Sequence, residues 1–395
     1  MTIMTPHANT QDLETRIQAR IGAKVRELRA STGITSLQLA RLAGISQGQL
    51  SKIENGRATL SIKILGNICA ALNRPLSYLF LSDEEIPRVL GTLTSVEGPE
   101  NEAILRFAQD VYERTNHSIS LIPLKESQLG SPGEQVDQLR QGIIDIFIEQ
   151  LYHYGKFVTD YSYLSLPYIF SSESHQRAFL ESDYFIEKMK APLPAQGIRF
   201  INNRWNWIRG LEWVIVSSRP IIAPADVKGL RVRIYESSVL ARFWEELGAI
   251  PVVVPWSDVR TSLRQKEIDI LPTHKAHVYP LSFCRYTPFV TLLGDIPPVL
   301  GVAMNDLKYR MLPPSLQETL IQVCDSAGDS FSACIREAEE SNELLNIKRF
   351  NAAYIKVDTS LWKKEAERVR DILIGKGIVQ KDVSDAINAC KPPDK

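Results

Sequence analysis

The chain has 395 residues, 44% apolar and 23% charged, and its 46 Lys and Arg balance 46 Asp and Glu. This size suits two or three globular domains, and the composition excludes wholesale disorder. Five distant cysteines without a C-x-x-C pair exclude a disulfide framework or zinc cage and fit a reducing compartment. No long uncharged apolar run and no secretion-type N-terminal pattern are present, so we expect a cytoplasmic protein that does not contact membranes.

Basic residues are concentrated near the N-terminus. Residues 20 to 80 contain nine Lys or Arg against two acidic residues, Glu27 and Glu54, in a chain with no net charge. A basic patch on a small helical unit is typical of proteins that bind the phosphate backbone, whereas the more acidic remainder would be repelled by DNA. The charge pattern therefore predicts a DNA-binding domain joined to a separate effector domain.

The basic region has the pattern of a small helical bundle. Short apolar-periodic segments alternate with turns at Gly33, Gly44 and Gly56, which predicts four to five helices. Thr35 and Ser46 are placed to cap two of them across a tight turn. Two short helices joined in this way predict a helix-turn-helix. The simpler alternative is a helical bundle whose basic face only contacts solvent.

The runs L-A, A-G-I-S and S-K-I-E-N-G between residues 39 and 56 resemble the phage-repressor type helix-turn-helix of Xre-family regulators. The resemblance covers some 60 residues and implies that a recognition helix at about 47–55 enters the major groove. Gln47 and Lys52 match positions that read bases, where glutamine can pair with adenine and lysine with guanine. Further candidates for DNA contacts are Ser36, Ser46, Gln49, Ser51 and Arg57.

The predicted organisation is an N-terminal arm (1–19), a helix-turn-helix domain (20–81), a short acidic linker (82–88) and a C-terminal domain (89–395). In the C-terminal domain, strand-like runs such as IDIFI, RVRIY and IDILP alternate with helix-like stretches. This alternation predicts α/β layers with mostly parallel sheets, in two lobes around a cleft. Ligands of such folds bind beyond the carboxyl ends of the strands.

Residues 89–385 resemble the solute-binding proteins of TRAP (tripartite ATP-independent periplasmic) transporters. Seven pieces match in the family's order, among them SQLGSPGEQVDQLRQGIIDIF, ADVKGLRVRI and LGAIPVVVPWSDVRTSLRQKEIDI. The resemblance implies a two-lobed periplasmic-binding-protein-like fold and a carboxylate ligand bound by Arg233, the last residue of K-G-L-R-V-R. A guanidinium presents two parallel N–H donors that match two carboxylate oxygens. Arg231 is the alternative if the register differs, and a plain surface arginine is the alternative to both.

The same resemblance assigns an aromatic wall to Trp256 and polar ligand contacts to Thr273 and Gln150. The second arginine of the family, expected shortly before S-S-R-P, is replaced by Glu212 and Trp213. We therefore expect a pocket that is less cationic and more aromatic than a sugar-acid or dicarboxylate site. Trp205, Trp207 and Trp213 are candidate ligand contacts, with core packing as the simpler alternative for each. Further candidates around the pocket are Trp213, His153 and Tyr235.

The established catalytic signatures G-x-S-x-G, G-x-x-x-x-G-K-[ST], G-x-G-x-x-G and H-E-x-x-H are missing from the sequence. We therefore expect neither an enzyme nor a cofactor. His274 and His277 form a weak H-x-x-H pair without a third ligand at a defined spacing, so we expect no metal.

These patterns favour a transcription regulator that binds a small organic carboxylate and modulates operator binding at a transport or catabolic operon. An acid with an aromatic or apolar body is favoured. A homodimer or larger even oligomer on a pseudo-palindromic double-stranded operator is expected, because paired recognition helices read successive major-groove faces. Two alternatives stay open: a transport solute-binding protein, and a regulator whose C-terminal domain only oligomerises. The helical stretch at 360–387 could form an interface or pack on its own lobes.

Overall fold

The computed structural model describes residues 7–58, 61–72, 74, 76–80, 89–95, 99–125, 129–210, 212–296 and 299–392. The chain forms two compact units. The first is Met1–Arg88 with Leu307–Thr319, and the second is Val89–Asp306 with Leu320–Lys395. The predicted linker at 82–88 lies outside the described residues. The first helix includes residues 7–19, which the sequence had assigned to an arm.

The first unit contains a four-helix bundle followed by a 3₁₀ turn. Its elements are α1 (His7–Ser31), α2 (Ser36–Ala43), α3 (Gln47–Glu54), α4 (Ile62–Ala71) and the 3₁₀ turn Leu76–Phe80. Their apolar faces meet in one core, to which Val25, Leu39, Leu50 and Ile68 each contribute a fully buried side chain. The number of helices agrees with the four to five predicted from the apolar periodicity.

Local sequence signals explain the helix boundaries of this unit. Thr35 Oγ1 accepts a hydrogen bond from the Gln38 N–H (3.2 Å), while Gln38 Oε1 accepts one from the Thr35 N–H (2.9 Å). This reciprocal capping starts α2, and Gly44 ends it in the left-handed region, with φ of 69°. A Cβ on Gly22 would lie 2.2 Å from the Ile53 carbonyl oxygen, so the close approach of α1 to α3 requires glycine there.

The second unit contains three sheets. In the first, β1 (Val89–Ser95) pairs in parallel with β2 (Ile119–Lys125). The three-stranded sheet has the order β3 (Ile146–Gln150), β10 (Leu300–Asn305), β4 (Ile198–Phe200). The six-stranded sheet has the order β11 (Ala353–Lys356), β9 (Phe289–Leu292), β5 (Trp213–Ser217), β8 (Ile270–His274), β6 (Arg231–Ile234), β7 (Ile250–Val253).

The remaining α-helices connect and cover these sheets. They are α5 (Pro99–Arg114), α6 (Pro132–Gln141), α7 (Glu173–Leu180), α8 (Ser238–Glu246), α9 (Val259–Arg264), α10 (Lys275–Val278), most of α12 (Pro314–Phe350), α13 (Thr359–Gly375) and α14 (Lys381–Ala389). The helix α11 (Asp306–Met311), from Leu307 on, and the start of α12, up to Thr319, belong to the first unit. Within the described ranges, no helix has both the length and the apolar character needed to cross a bilayer.

The α/β class is as predicted, and most strands run in one direction, but each of the two larger sheets contains one antiparallel strand. β5 runs antiparallel to β8 and β9, and β10 runs antiparallel to β3 and β4. These two strands are reached from the other sheet through segments 201–212 and 293–299, whose described residues are not helical. Both connections cross from one sheet to the other, so neither is the helical crossover that links parallel neighbours within one sheet.

The strand register brings the ends of several strands to one edge of the six-stranded sheet. Leu292 of β9 pairs with Val214 of β5, Val214 pairs with Thr273 of β8, and Val232 of β6 pairs with Ile270. The carboxyl ends of β9, β8 and β6 therefore lie at the same edge as the start of β5. Ligands of α/β proteins bind beyond such an edge.

Two of the tryptophans considered as ligand contacts belong to the core instead. Trp207 is fully buried, and its Nε1–H donates to the Cys324 carbonyl oxygen (3.0 Å). Trp205 packs edge-on against Phe185 and Phe200, with ring centroids 5.2 and 5.4 Å away. The core alternative is therefore correct for both residues.

The C-terminal helices α13 and α14 pack within the second unit. Trp362, Val369 and Leu373 of α13 are buried in its main apolar cluster, whereas Leu361 is 51% exposed. Most of the apolar side of α13 is thus buried within the chain. This agrees with the alternative in which the stretch 360–387 packs on its own lobes.

Candidate functional site

A cavity of about 160 Å³ lies at the carboxyl edge of the six-stranded sheet in the second unit. Its wall includes the ends of β3, β6 and β8, the start of β5 and the segment after β9. All seven ligand candidates from the sequence line it: Gln150, His153, Trp213, Arg233, Tyr235, Trp256 and Thr273. The fold brings them together across more than a hundred residues of sequence, and their contact with a ligand stays a prediction.

Arg233 is oriented by its neighbours. Its Nε–H donates to the Val254 carbonyl oxygen (3.0 Å), and its guanidinium carbon lies 5.3 Å from the ring centroid of Trp256. A guanidinium stacked on an aromatic ring keeps its planar fork in one orientation, which suits recognition of a carboxylate. Arg231, the alternative from the sequence, pairs with Asp269 instead and is not part of the cavity wall.

The pocket has a second arginine that sequence reasoning missed. Arg209 lines the cavity and is only 5% exposed. Its Nε lies 3.0 Å from Glu100 Oε1, and its Nη1 lies 2.6 Å from Glu149 Oε1. Two buried carboxylates therefore offset one guanidinium. The pocket does contain two arginines, but the charge of Arg209 is compensated within the protein.

This buried network continues to α10. His277 Nε2 lies 2.8 Å from Glu100 Oε1. Burial raises the pKa of Glu100, but Arg209 and His277 outweigh it, so the net pKa is below its ordinary value and the carboxylate is ionised. No local pattern predicts this network, because Glu100 and Arg209 are 109 residues apart in sequence.

Several polar atoms of the wall are poised to interact with a ligand. Gln150 Nε2 contacts His274 Nε2, whereas Gln150 Oε1 and Thr273 Oγ1 are buried and have no hydrogen-bond partner among the described residues. Buried polar atoms are normally hydrogen-bonded, so these two are suited to a polar ligand group. Neither residue is charged, which leaves the recognition of an anion to the arginines.

His153 and His274 of the pocket are neutral at physiological pH. Burial lowers the pKa of His153 to about 4, and burial also holds the pKa of His274 well below its ordinary range. Among the described residues, no group of three or more His, Cys, Asp or Glu is arranged to hold a metal ion. As neutral rings, His153 and His274 can serve as hydrogen-bonding and stacking groups.

Aromatic rings form much of the remaining wall. Tyr152 and Tyr235 are stacked, with ring centroids 4.6 Å apart and planes within 6°. Trp213 lies over His274 at 4.2 Å. Such surfaces bind a ring or apolar group over a large area and lose little side-chain entropy.

The first unit presents the predicted recognition helix, α3, to solvent. Ser46 Oγ accepts a hydrogen bond from the Gln49 N–H (3.1 Å) and caps this helix, while Leu50 and Ile53 anchor it in the core. Four of the predicted DNA contacts on α3 are exposed, namely Gln47, Gln49, Ser51 and Lys52. Arg57 is exposed just after the helix, and Ser36 is partly buried at the start of α2.

Part of the basic charge of this unit is structural. Arg29 forms two hydrogen bonds with the Glu54 carboxylate (2.6 and 3.0 Å), and Arg26 donates to the Glu54 carbonyl oxygen (2.8 Å). These contacts fix the end of α3 against α1. Arg41, Lys52 and Arg57 are exposed basic residues close to the recognition helix.

Residues 90–376 match the family model described as bacterial extracellular solute-binding protein, family 7, and residues 25–79 match a helix-turn-helix model. The chain is 24% identical over 310 residues to the 2,3-diketo-L-gulonate-binding periplasmic protein YiaO of Escherichia coli K12, which covers 77% of this chain and 90% of that protein. Neither matching family is an enzyme family.

Solved structures share the fold of the second unit. A TRAP periplasmic solute-binding protein from Shewanella oneidensis with bound succinate has a TM-score of 0.68 and 20% identity, covering 77% of this chain and 99% of that one. Another from Roseobacter denitrificans with bound β-D-glucuronate has a TM-score of 0.68 and 18% identity, covering 76% and 99%. The chain therefore belongs to family 7 of the bacterial extracellular solute-binding proteins and carries an N-terminal helix-turn-helix domain of the Xre type.

Proposed function

We propose that this protein is a cytoplasmic transcription regulator in which a small organic carboxylate, bound in the pocket of the solute-binding domain, changes the affinity of the helix-turn-helix domain for its operator. One observation carries the proposal. The same chain combines an exposed, capped recognition helix with a pocket whose wall includes a carboxylate-matching arginine, Arg233. A protein that only delivers a solute to a transporter has no use for the first feature.

The pocket composition supports a monocarboxylate with an aromatic or apolar body. Arg233 supplies a guanidinium for the carboxylate, while Glu100 and Glu149 offset the charge of Arg209. The stacked Tyr152 and Tyr235 provide apolar area beside it. Relatives are named for binding dicarboxylates and a diketo sugar acid, so a carboxylate is the shared chemistry.

Regulation requires that the ligand bind more tightly to one conformation of the protein than to another. Coupling free energies of this kind are typically about 1 to 3 kcal/mol, which changes operator affinity about 5- to 150-fold. We further propose that the protein binds a pseudo-palindromic site as a homodimer or larger even oligomer, because paired recognition helices read successive turns of the duplex.

The test has two steps with the full-length protein. First, a panel of aromatic, aliphatic, keto and sugar carboxylates is screened for thermal stabilisation, and duplexes are selected from a random library to define the operator. Operator affinity is then titrated with and without the stabilising acid. A change of about fivefold or more supports regulation. Stabilisation without any change in DNA affinity supports solute binding alone, and selection of no duplex contradicts the regulator proposal.

A further inference from the structure

The pocket contains a carboxylate in addition to those that pair with Arg209. Asp295 follows β9, lines the cavity and is 8% exposed. Its Oδ1 accepts hydrogen bonds from the backbone N–H groups of Tyr168 (3.0 Å) and Ile296 (2.9 Å). Within the described parts of the chain, no group donates to its other oxygen, Oδ2. That oxygen belongs to a nearly buried side chain that lines the cavity.

Asp295 follows β9 and Arg233 lies in β6, and these two strands are well separated in the sheet. β9 and β6 are separated by β5 and β8, which corresponds to three strand spacings, roughly 14 Å. Both side chains nevertheless line the same cavity, because the carboxyl ends of β9 and β6 lie at the same sheet edge. The pocket thus has a cationic group at one side and an acidic group at the other.

The wall that joins these two sides is mainly apolar. Trp213 stands at the start of β5, between β9 and β8, and Phe243 and Trp244 of α8 also line the cavity. A volume of about 160 Å³ accommodates on the order of ten water-sized groups. A ligand that fills it has room for a carboxylate, a ring or short chain, and one further group.

We propose that the ligand is an elongated monocarboxylate with an apolar or aryl body and a hydrogen-bond donor at its far end, and that Asp295 Oδ2 accepts this bond. The inference rests on the proposed function, since it names the class of ligand for the same pocket. A hydroxyl or an ammonium group would supply the donor. Burial raises the pKa of Asp295 to about 7 in spite of its two hydrogen bonds, so its charge is poorly compensated in the protein alone. A donor from the ligand would compensate it.

The experiment compares matched acids that differ only at the far end. Calorimetric titration of the full-length protein uses phenylpropanoate against para-hydroxyphenylpropanoate, and hexanoate against its omega-amino derivative. A hydrogen bond to an ionised group should make the hydroxyl or amino member of one pair bind about tenfold tighter or more. The pair that shows the preference identifies the donor as hydroxyl or ammonium.

Variants separate this inference from the function it rests on. Asp295→Ala should reduce the preference to about one while the unsubstituted acid binds as before, and Arg233→Ala should weaken both acids. If the alanine variant does not fold, Asp295→Asn takes its place, because it keeps the side-chain shape. This variant should lose the preference for the omega-amino derivative. Asp258→Asn, at an exposed position, should leave both affinities unchanged.

Equal affinities within each pair, or a preference that survives at Asp295→Ala, overturn the inference and leave carboxylate binding intact. Failure of all four acids to bind the wild-type protein overturns the inference. The proposed function is overturned as well if the wider panel of carboxylates also fails to bind.

Discussion

Arg231 and Arg233 lie on the same face of β6, but they have different partners. Arg231 forms two hydrogen bonds with Asp269, Nε to Oδ2 at 2.9 Å and Nη2 to Oδ1 at 2.8 Å. Arg233 instead lies against Trp256 and lines the cavity. The alternation of side chains along a strand places both arginines on one face, and only the surroundings distinguish their roles.

This difference gives a matched pair for testing the carboxylate site. Arg233→Ala should weaken binding of the stabilising acid about 10- to 100-fold, because hydrogen bonds to ionised groups contribute about 1.5 to 3 kcal/mol. Arg231→Ala removes the same side chain from the same face and should leave the affinity unchanged. Calorimetric titration measures both. Equal losses in the two variants would contradict the assignment of Arg233.

Arg209 should be important for stability. Arg209→Met leaves the Glu100 and Glu149 carboxylates buried without their guanidinium, so we expect the free energy of unfolding to fall by about 3 to 5 kcal/mol. Arg204→Met is the control, because its pair with Asp329 is exposed and should contribute about 0 to 1 kcal/mol. Urea unfolding of both variants tests this. Similar small losses would show that the buried pairs are weak.

The caps of the recognition helix and the following helix give a second matched pair. Ser46→Ala should destabilise the first unit by about 1 kcal/mol, since its hydroxyl accepts a hydrogen bond from the Gln49 N–H. Ser61 is the N-cap residue of α4, but its side chain makes no capping hydrogen bond. Ser61→Ala should therefore have a smaller effect. Thermal unfolding followed by circular dichroism distinguishes them, and a larger loss at Ser61 would contradict the prediction.

Lys52 should contribute to DNA affinity and not to folding. It is exposed on α3, where the helix-turn-helix family reads base edges. Lys52→Ala should weaken binding to the selected operator by about 1 to 3 kcal/mol and leave the melting temperature unchanged. Lys63→Ala, an exposed lysine on α4, is the control. Anisotropy titration measures the affinities, and unaltered binding by Lys52→Ala would remove this residue from the interface.

Asp295 should make stability depend on pH. Burial raises its pKa from the ordinary 3.8 to about 7. The backbone hydrogen bonds from Tyr168 and Ile296 partly oppose this shift, as do the charges of Arg370 and Lys363. Because the folded-state pKa is raised, protonated Asp295 contributes to the free energy of unfolding. This contribution is fully present below about pH 4 and is lost as the pH rises through about 7. Asp295→Asn cannot ionise and avoids this loss.

The difference in melting temperature between Asp295→Asn and the wild type should therefore increase in favour of the variant between about pH 4 and pH 8. Above about pH 8 the difference should stay constant. Melting temperatures across this range measure it, with Asp258→Asn as the exposed control. A constant difference between Asp295→Asn and the wild type would show that Asp295 does not titrate in this window.

Much of the helix-turn-helix unit could be predicted from the sequence, because its signals are local. The capping pair of Thr35 and Gln38 and the left-handed Gly44 act within a few residues of the boundaries that they set. The order of the pieces in the C-terminal domain predicted its family, and K-G-L-R-V-R placed Arg233 at a strand end. The sheet directions were harder to predict, since β5 and β10 enter through connections that are not helical in their described parts.

What the sequence determined by itself is the pair of domains, their families and seven residues that line one cavity. Only the tertiary structure decided which charges the cavity contains. Arg209 meets Glu100 across 109 residues and Glu149 across 60, and Asp295 faces the cavity after a strand three positions from that of Arg233. Periodicity and motifs report neighbours along the chain. Charge compensation depends on burial and distance between segments that the fold alone brings together.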